Sequence, residues 1–275
     1  MSEVIRLQLA AAWPQALVLA GSLTAFLWAA VDAWSRWRRG EPLLAGRPHP
    51  TVPWGARDVA FVASFYVLAA AAMQQVSATP RTPVTRLIDN VVLSLATTLV
   101  TIAWLRAAGA DRASLGLSLD RFGESWGIAC RGLALAVFPL LALAAVLNAV
   151  VPYEHPVVDF LAGQDGPAAA MLVILAAVVV APLAEELFFR RVLQGWLEKH
   201  FAGDRGAAVG VTAIVFAAAH AGQGLAFVPL FVLGCLLGVI AERTGSIVPC
   251  ILLHGLFNAV SVFVMLAQSG SPPGV

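Results

Sequence analysis

The longest charge-free run in this 275-residue chain extends from Gly206 to Ala241, thirty-six residues without an Asp, Glu, Lys or Arg. A helix rises about 1.5 Å per residue, and about 20 apolar residues cross the hydrocarbon layer of a bilayer. A stretch of this kind therefore belongs in a membrane. Six further runs are of spanning length or near it: Leu7–Val31, Val59–Pro80, Asn90–Leu105, Gly132–Tyr153, Gly166–Ala184 and Ile247–Ala267. The longest run exceeds one crossing, and the turn chemistry of Ala221-Gly222-Gln223-Gly224 divides it into Gly206–His220 and Leu225–Ala241. The expected fold is all-α, a polytopic integral membrane bundle of about eight transmembrane helices. Leu7–Val31 is longer than a signal-peptide core and is followed by Arg36, Arg38 and Arg39 rather than a small-residue cleavage site, so it is read as a retained anchor.

Composition agrees with the spans. Charged residues make up 12% of the chain and hydrophobic ones 60%, whereas a soluble domain carries about 25% charged residues. The net charge of +1 leaves no basic excess for nucleic acid. Cys130, Cys235 and Cys250 lie in apolar stretches without metal-type spacing and read as small hydrophobes. With eight crossings, fourteen basic residues between Arg36 and Arg243 fall on one side, against Arg6, Arg81 and Arg86 on the other. The positive-inside rule then puts both termini, and the loop carrying Glu154, Asp159 and Asp165, on the non-cytoplasmic side. Ala113–Glu124, with leucines set among charges, reads as a short amphipathic element in the interface. Asn148, Asp89, Thr97, Thr98 and Thr101 read as interhelical hydrogen-bonding groups.

Three clusters of polar residues remain within the apolar runs. Glu185 and Glu186 follow Ala-Val-Val-Val-Ala-Pro-Leu-Ala, and no breaker interrupts the apolar sequence after them before Gly195. Both carboxylates thus lie inside the layer, where ionised groups are costly and are functional by default. At 100° per residue, Glu186 and Arg190 share a face whereas Glu185 and Arg190 do not. Glu186 is accordingly the salt-bridged support, and Glu185 is the carboxylate free for chemistry. His220 ends Phe216-Ala-Ala-Ala-His220, and with a turn near Gly203 it reaches the depth of Glu185 on an antiparallel helix; Phe216 is a packing residue. His254 and Asn258 lie four apart on the last span, where Asn258 either orients His254 or donates its amide hydrogens to a substrate oxygen.

Glu185-Glu186-Leu-Phe-Phe-Arg190, Phe216-Ala-Ala-Ala-His220 and His254-Gly-Leu-Phe-Asn258, in this order, resemble the CPBP family of intramembrane proteases. That group includes type II CAAX prenyl endopeptidases and abortive-infection proteins. The resemblance implies an endopeptidase with a cavity inside the membrane, acting on a membrane-associated peptide or protein. It also implies Glu185 as general base, with His220, on an attacking water, and His254 with Asn258 at the oxyanion. The chain then divides into three N-terminal spans (1–125), a fourth span with its outer loop (126–165), a catalytic core of four spans (166–268) and a tail (269–275). The implied location is a plasma membrane of the bacterial inner-membrane type. A divalent metal, zinc, held by Glu185, His220 and His254 is one mechanism that these ligand types suit. Metal-free catalysis by a desolvated carboxylate is the other. A non-catalytic immunity or scaffolding protein of the same fold is the alternative function.

Overall fold

A computed structural model describes residues 3–47, 51–77, 82–153, 157, 160, 167–201 and 204–269. The acidic loop residues Glu154, Asp159 and Asp165, the turn at Gly203 and the tail beyond Ser269 lie outside the described residues. The chain is helical and its long elements follow the apolar runs. These are α1 (Glu3–Arg38), α2 (Ala56–Ser77), α3 (Pro83–Ala107), the one-turn α4 (Arg112–Leu115) and α5 (Phe122–Val150). A long helix α6 then runs from Pro167 to His200, followed by α7 (Arg205–Ala218), α8 (Phe227–Thr244) and α9 (Val248–Ser269).

Seven of these are long and apolar enough to cross a membrane, which makes the protein an all-α polytopic membrane bundle. The stretch expected to be an eighth span is shorter than one. α7 has 14 residues, a rise of about 21 Å against the roughly 30 Å core, because the Ala221–Gly224 turn ends it early. It packs along α8 as a hairpin. Apolar side chains on the periphery, among them Leu17, Trp28, Leu99, Val150 and Met171, are exposed. In a lipid-facing surface this is the expected disposition, since the surrounding solvent is itself apolar.

α6 is the axis of the molecule. Its span, Ala168–His200, is longer than the layer is thick, and it is not uniformly α-helical. Leu175–Val180 and Leu187–Gln194 form wider π turns on either side of the α-helical Ala181–Glu186. Two buried apolar clusters flank it. One gathers Trp54, Leu105, Leu115, Phe188, Phe189, Val192 and Phe216 from the α1–α2 loop, α3, α4, α6 and α7. The other gathers Ile128, Leu140, Leu233, Leu237 and Leu253 from α5, α8 and α9. The polar motif residues lie where these clusters meet.

One end of α6 is strapped by loops. Trp54 is fully buried, and its Nε1 donates to the Val192 carbonyl at 3.1 Å. Lys199 Nζ holds the Val52 and Trp54 carbonyls at 2.9 and 2.8 Å. Ala113–Glu124 is not one amphipathic element. Gly116 takes a left-handed conformation that stops α4, and its carbonyl accepts from Ile247 N and Ser246 Oγ at the head of α9. Hydrogen bonding by Ser114 holds the Asp111 carboxyl of this loop below the usual carboxylate range. Arg191, counted above as a loop charge, is buried and donates to the Ser114 carbonyl. Arg190 is buried too, so neither belongs to the loop tally. Thr97 and Thr98 donate to the Leu93 and Ser94 carbonyls of their own helix, while Thr98 and Thr101 also interact with the Tyr66 hydroxyl of α2. Asp58 makes a further interhelical bond, accepting from Trp104 Nε1 at 3.1 Å.

Candidate active site

The three motifs reach one place from three helices. Glu185 and Glu186 stand midway along α6, His220 lies just beyond α7, and His254 and Asn258 lie on α9. α6 and α7 run antiparallel from a short turn, which brings residues near-equidistant from that turn to one depth. The head of α9 is recessed, with Ile247 1% and Val248 6% exposed, so His254 meets them only two turns into its own helix.

Glu186 is fully buried and serves two partners. Its Oε2 lies 3.1 Å from Arg190 Nε and its Oε1 lies 2.9 Å from His254 Nδ1. The Arg190 contact is one of charge: no nitrogen of the guanidinium makes a hydrogen bond within the protein among the described residues. His254 is thus oriented by Glu186 rather than by Asn258, a link between α6 and α9 that residue spacing within either helix does not reveal. Because a carboxylate accepts, His254 Nδ1 carries hydrogen and its Nε2 faces the other way.

That direction is toward Glu185. His254 Nε2 is 3.9 Å and His220 Nε2 is 4.0 Å from Glu185 Oε2. His220 Nδ1 sits 2.8 Å from the Phe216 carbonyl, which only accepts, so the neutral ring presents an acceptor Nε2 to the gap. Glu185 Oε2 is buried and has no hydrogen-bond partner among the described residues, although its side chain as a whole is 27% exposed. Phe216, fully buried, packs against both imidazoles and lies under the Arg190 guanidinium at 4.9 Å.

Asn258 does a structural task. Its Nδ2 donates to the Ala177 carbonyl at 2.8 Å. The π turn of α6 bonds five residues ahead, as Ala181 N to the Ala176 carbonyl shows. In that register Ala177 would be served by residue 182, which is proline and has no N–H. Asn258 supplies the missing donor and keeps a second amide hydrogen. One step along, Gly255 lies so close to the Val178 carbonyl that a Cβ there would sit 2.5 Å from it. Sequence reasoning did not find Tyr66 of α2, whose hydroxyl donates to the Ala184 carbonyl at 3.0 Å and whose ring stacks on Phe188. A lone tyrosine in an N-terminal span carries no signal of this contact.

The donor set as arranged is too wide for zinc. Bonds of about 2.0–2.2 Å in tetrahedral geometry put ligand atoms about 3.4 Å apart, closer than the 3.9–4.0 Å here. No group of three His, Cys, Asp or Glu among the described residues has metal-holding geometry.

A membrane bundle with a half-buried carboxylate facing two imidazoles is the class that fold and site define. A family model described as Type II CAAX prenyl endopeptidase Rce1-like matches residues 167–260, from the start of α6 through Asn258 on α9. Residues 167–260, about a third of the chain, are thus similar to the Rce1-like family, in agreement with the resemblance of the three motifs. Comparison with curated proteins and with solved structures yields no match.

Proposed function

We propose that the protein is an intramembrane endopeptidase that hydrolyses a peptide bond near the end of a membrane-associated chain, with Glu185 activating water. The observation that carries this reading is the unpartnered Glu185 Oε2, set 3.9–4.0 Å from two imidazole nitrogens. Carboxylate oxygen and the neutral His220 Nε2 are both acceptors, so the gap between them suits a donor. A water about 2.8 Å from each fits that spacing with an angle near 90° at its oxygen.

In this reading His220 and Glu185 each accept a hydrogen bond from the water. As its oxygen attacks the scissile carbonyl, its proton passes to Glu185, and Glu185 then protonates the leaving amine. Negative charge grows on the former carbonyl oxygen. His254 acts here as the imidazolium: with Nδ1–H held on the Glu186 carboxylate it offers Nε2–H to that oxygen, and Asn258 offers its second amide hydrogen. Glu186 and Arg190 hold the imidazole in place and do not touch substrate. The substrate class follows from the family's description and from the apolar periphery: a peptide tethered to the layer by its own lipid, such as a prenylated C-terminal segment.

The test is cleavage of a prenylated peptide by purified protein in detergent or lipid, before and after exhaustive chelation. Full activity in the chelated protein is expected. Activity lost on chelation and recovered with added zinc would instead return the metal version, with Glu185, His220 and His254 drawn together around the ion.

A further inference from the structure

A second set of buried polar groups lies one turn further along α6. Glu186, Arg190, Gln194 and Glu198 recur every four residues. In a pure α-helix such a row drifts about 40° per step. Bonding five residues ahead gives more than four residues per turn, so the π segment Leu187–Gln194 turns the drift back and keeps the row on one face. That face meets α7 and α8. Phe216 of α7 lies beneath Arg190, and a Cβ built on Gly238 of α8 would meet both Gln194 Oε1, at 3.0 Å, and Val209 of α7. Val209, Thr212 and Phe216 follow each other at helical spacing on α7, which puts Thr212 between the Arg190 and Gln194 positions.

Each of the three central residues is buried: Arg190 is 2% exposed, Gln194 and Thr212 0%. Each also has polar atoms without a hydrogen-bond partner among the described residues: Arg190 Nε, Nη1 and Nη2, Gln194 Oε1 and Thr212 Oγ1. Gln194 Nε2, by contrast, is used twice, on Glu198 Oε1 and on the Gly238 carbonyl, both at 2.9 Å. This fixes the direction of the amide and leaves its oxygen beside Gly238 of α8, where Val209 of α7 also approaches. Orphan donors and orphan acceptors thus share one interface, and buried groups of this kind are ordinarily satisfied by internal water.

We propose that this interface holds a site for ordered water, bound by the Arg190 guanidinium on one side and by Gln194 Oε1 and Thr212 Oγ1 on the other. The water turns the guanidinium so that it contacts the Glu186 carboxylate by charge while its hydrogens point elsewhere, and through Glu186 it fixes the His254 ring. Thr212 and Gln194 are therefore positioning residues for the hydrolysis. This functional consequence rests on the proposed role of His254.

Thr212→Val removes the hydroxyl at nearly constant volume, and Thr212→Ser keeps it. With a prenylated peptide as substrate, Thr212→Val is expected to lower kcat about ten-fold with KM unchanged and to leave the melting temperature at or above that of the parent, while Thr212→Ser retains parental kcat. A parental kcat in Thr212→Val, or equal impairment of both variants, overturns the positioning role. The water is tested independently by an electron-density map of the parent protein. Density within hydrogen-bond distance of Arg190 Nη and Thr212 Oγ1 is expected, and a guanidinium donating only to protein oxygens overturns the site. Parental kcat in Glu185→Gln would count against the proposed hydrolase reading and leave the map result standing.

Discussion

Glu185 and Glu186 are adjacent, yet their surroundings give them different tasks. Glu186 has an Arg190 charge and a His254 N–H within 3.1 Å, whereas Glu185 Oε2 has only the gap before two imidazoles. Glu185→Gln removes the base and little else, since the side chain makes no ion pair closer than 3.9 Å. It is expected to lower kcat by about 10²–10⁴-fold with the melting temperature preserved, as steady-state cleavage and a thermal scan will show; unchanged turnover would remove Glu185 from the chemistry. Glu186→Ala strands a buried guanidinium, a loss of about 3–5 kcal/mol, and releases His254 as well. Glu186→Gln keeps an oxygen for His254 Nδ1–H, so it should retain more activity than Glu186→Ala at similar loss of stability. The division between the two glutamates was readable from helical phase alone, because the partner of Glu186 is four residues away on the same helix. The second partner was not, because the Glu186–His254 bond joins residues 68 apart and no spacing rule spans that distance.

At the scale of the helix, α6 owes its shape to donors from its neighbours. Trp54, Tyr66 and Asn258 donate to the carbonyls of Val192, Ala184 and Ala177; Val192 and Ala177 lie in the two segments where the backbone winds wide, and Ala184 in the α-helical stretch between them. Pro182 is the local cause for Ala177, and Asn258 its remedy. Asn258→Leu should therefore cost about 1–3 kcal/mol as an unsatisfied buried carbonyl. In a Pro182→Ala background, where residue 182 regains its N–H, the same change should cost distinctly less. A double-mutant cycle by thermal or chemical unfolding measures the difference, and additive losses would separate Asn258 from Pro182. Gly255→Ala drives a Cβ into the backbone carbonyl of Val178, which cannot rotate away, so it should destabilise by about 1–3 kcal/mol and displace His254 and Asn258 from the site. Gly132→Ala is a useful contrast: its Cβ would clash with the end of the Leu253 side chain, which can adopt another rotamer, and would make ordinary contact with Ile240. The apolar runs foretold the helices within a few residues, and Pro182 was visible in the sequence. Its consequence was not, because a uniform 100° per residue contains no wide turn and says nothing of which neighbour caps a freed carbonyl.

The arrangement of the whole chain in the layer turns on α7. A hairpin that goes in and returns leaves Arg205 and Arg243 on the same side whether or not α7 crosses completely, so its short length does not alter the basic-residue argument. Setting Arg190 and Arg191 aside as buried leaves the same side in excess. The proposed orientation therefore stands on the α1–α2, α3–α5 and α8–α9 connections facing the cytoplasm, with both termini opposite. α7 covers only about 21 Å, so the Ala221–Gln223 turn should stop short of the far surface, and His220, next to it, lies within the layer at the depth where Glu185 stands. Single cysteines placed in a background lacking Cys130, Cys235 and Cys250 can read both features. Glu41→Cys lies in the exposed α1–α2 loop, Thr82→Cys between α2 and α3, and Gly222→Cys in the hairpin turn, where a side chain meets nothing within 4 Å. In sealed vesicles of known orientation, a membrane-impermeant maleimide should modify Glu41→Cys only from the cytoplasmic face and Thr82→Cys only from the other. Gly222→Cys should react more slowly than Thr82→Cys from that second face. Modification of Glu41→Cys from the outer face would invert the topology, and equal rates for Gly222→Cys and Thr82→Cys would make α7 a full crossing, carrying His220 away from mid-membrane depth.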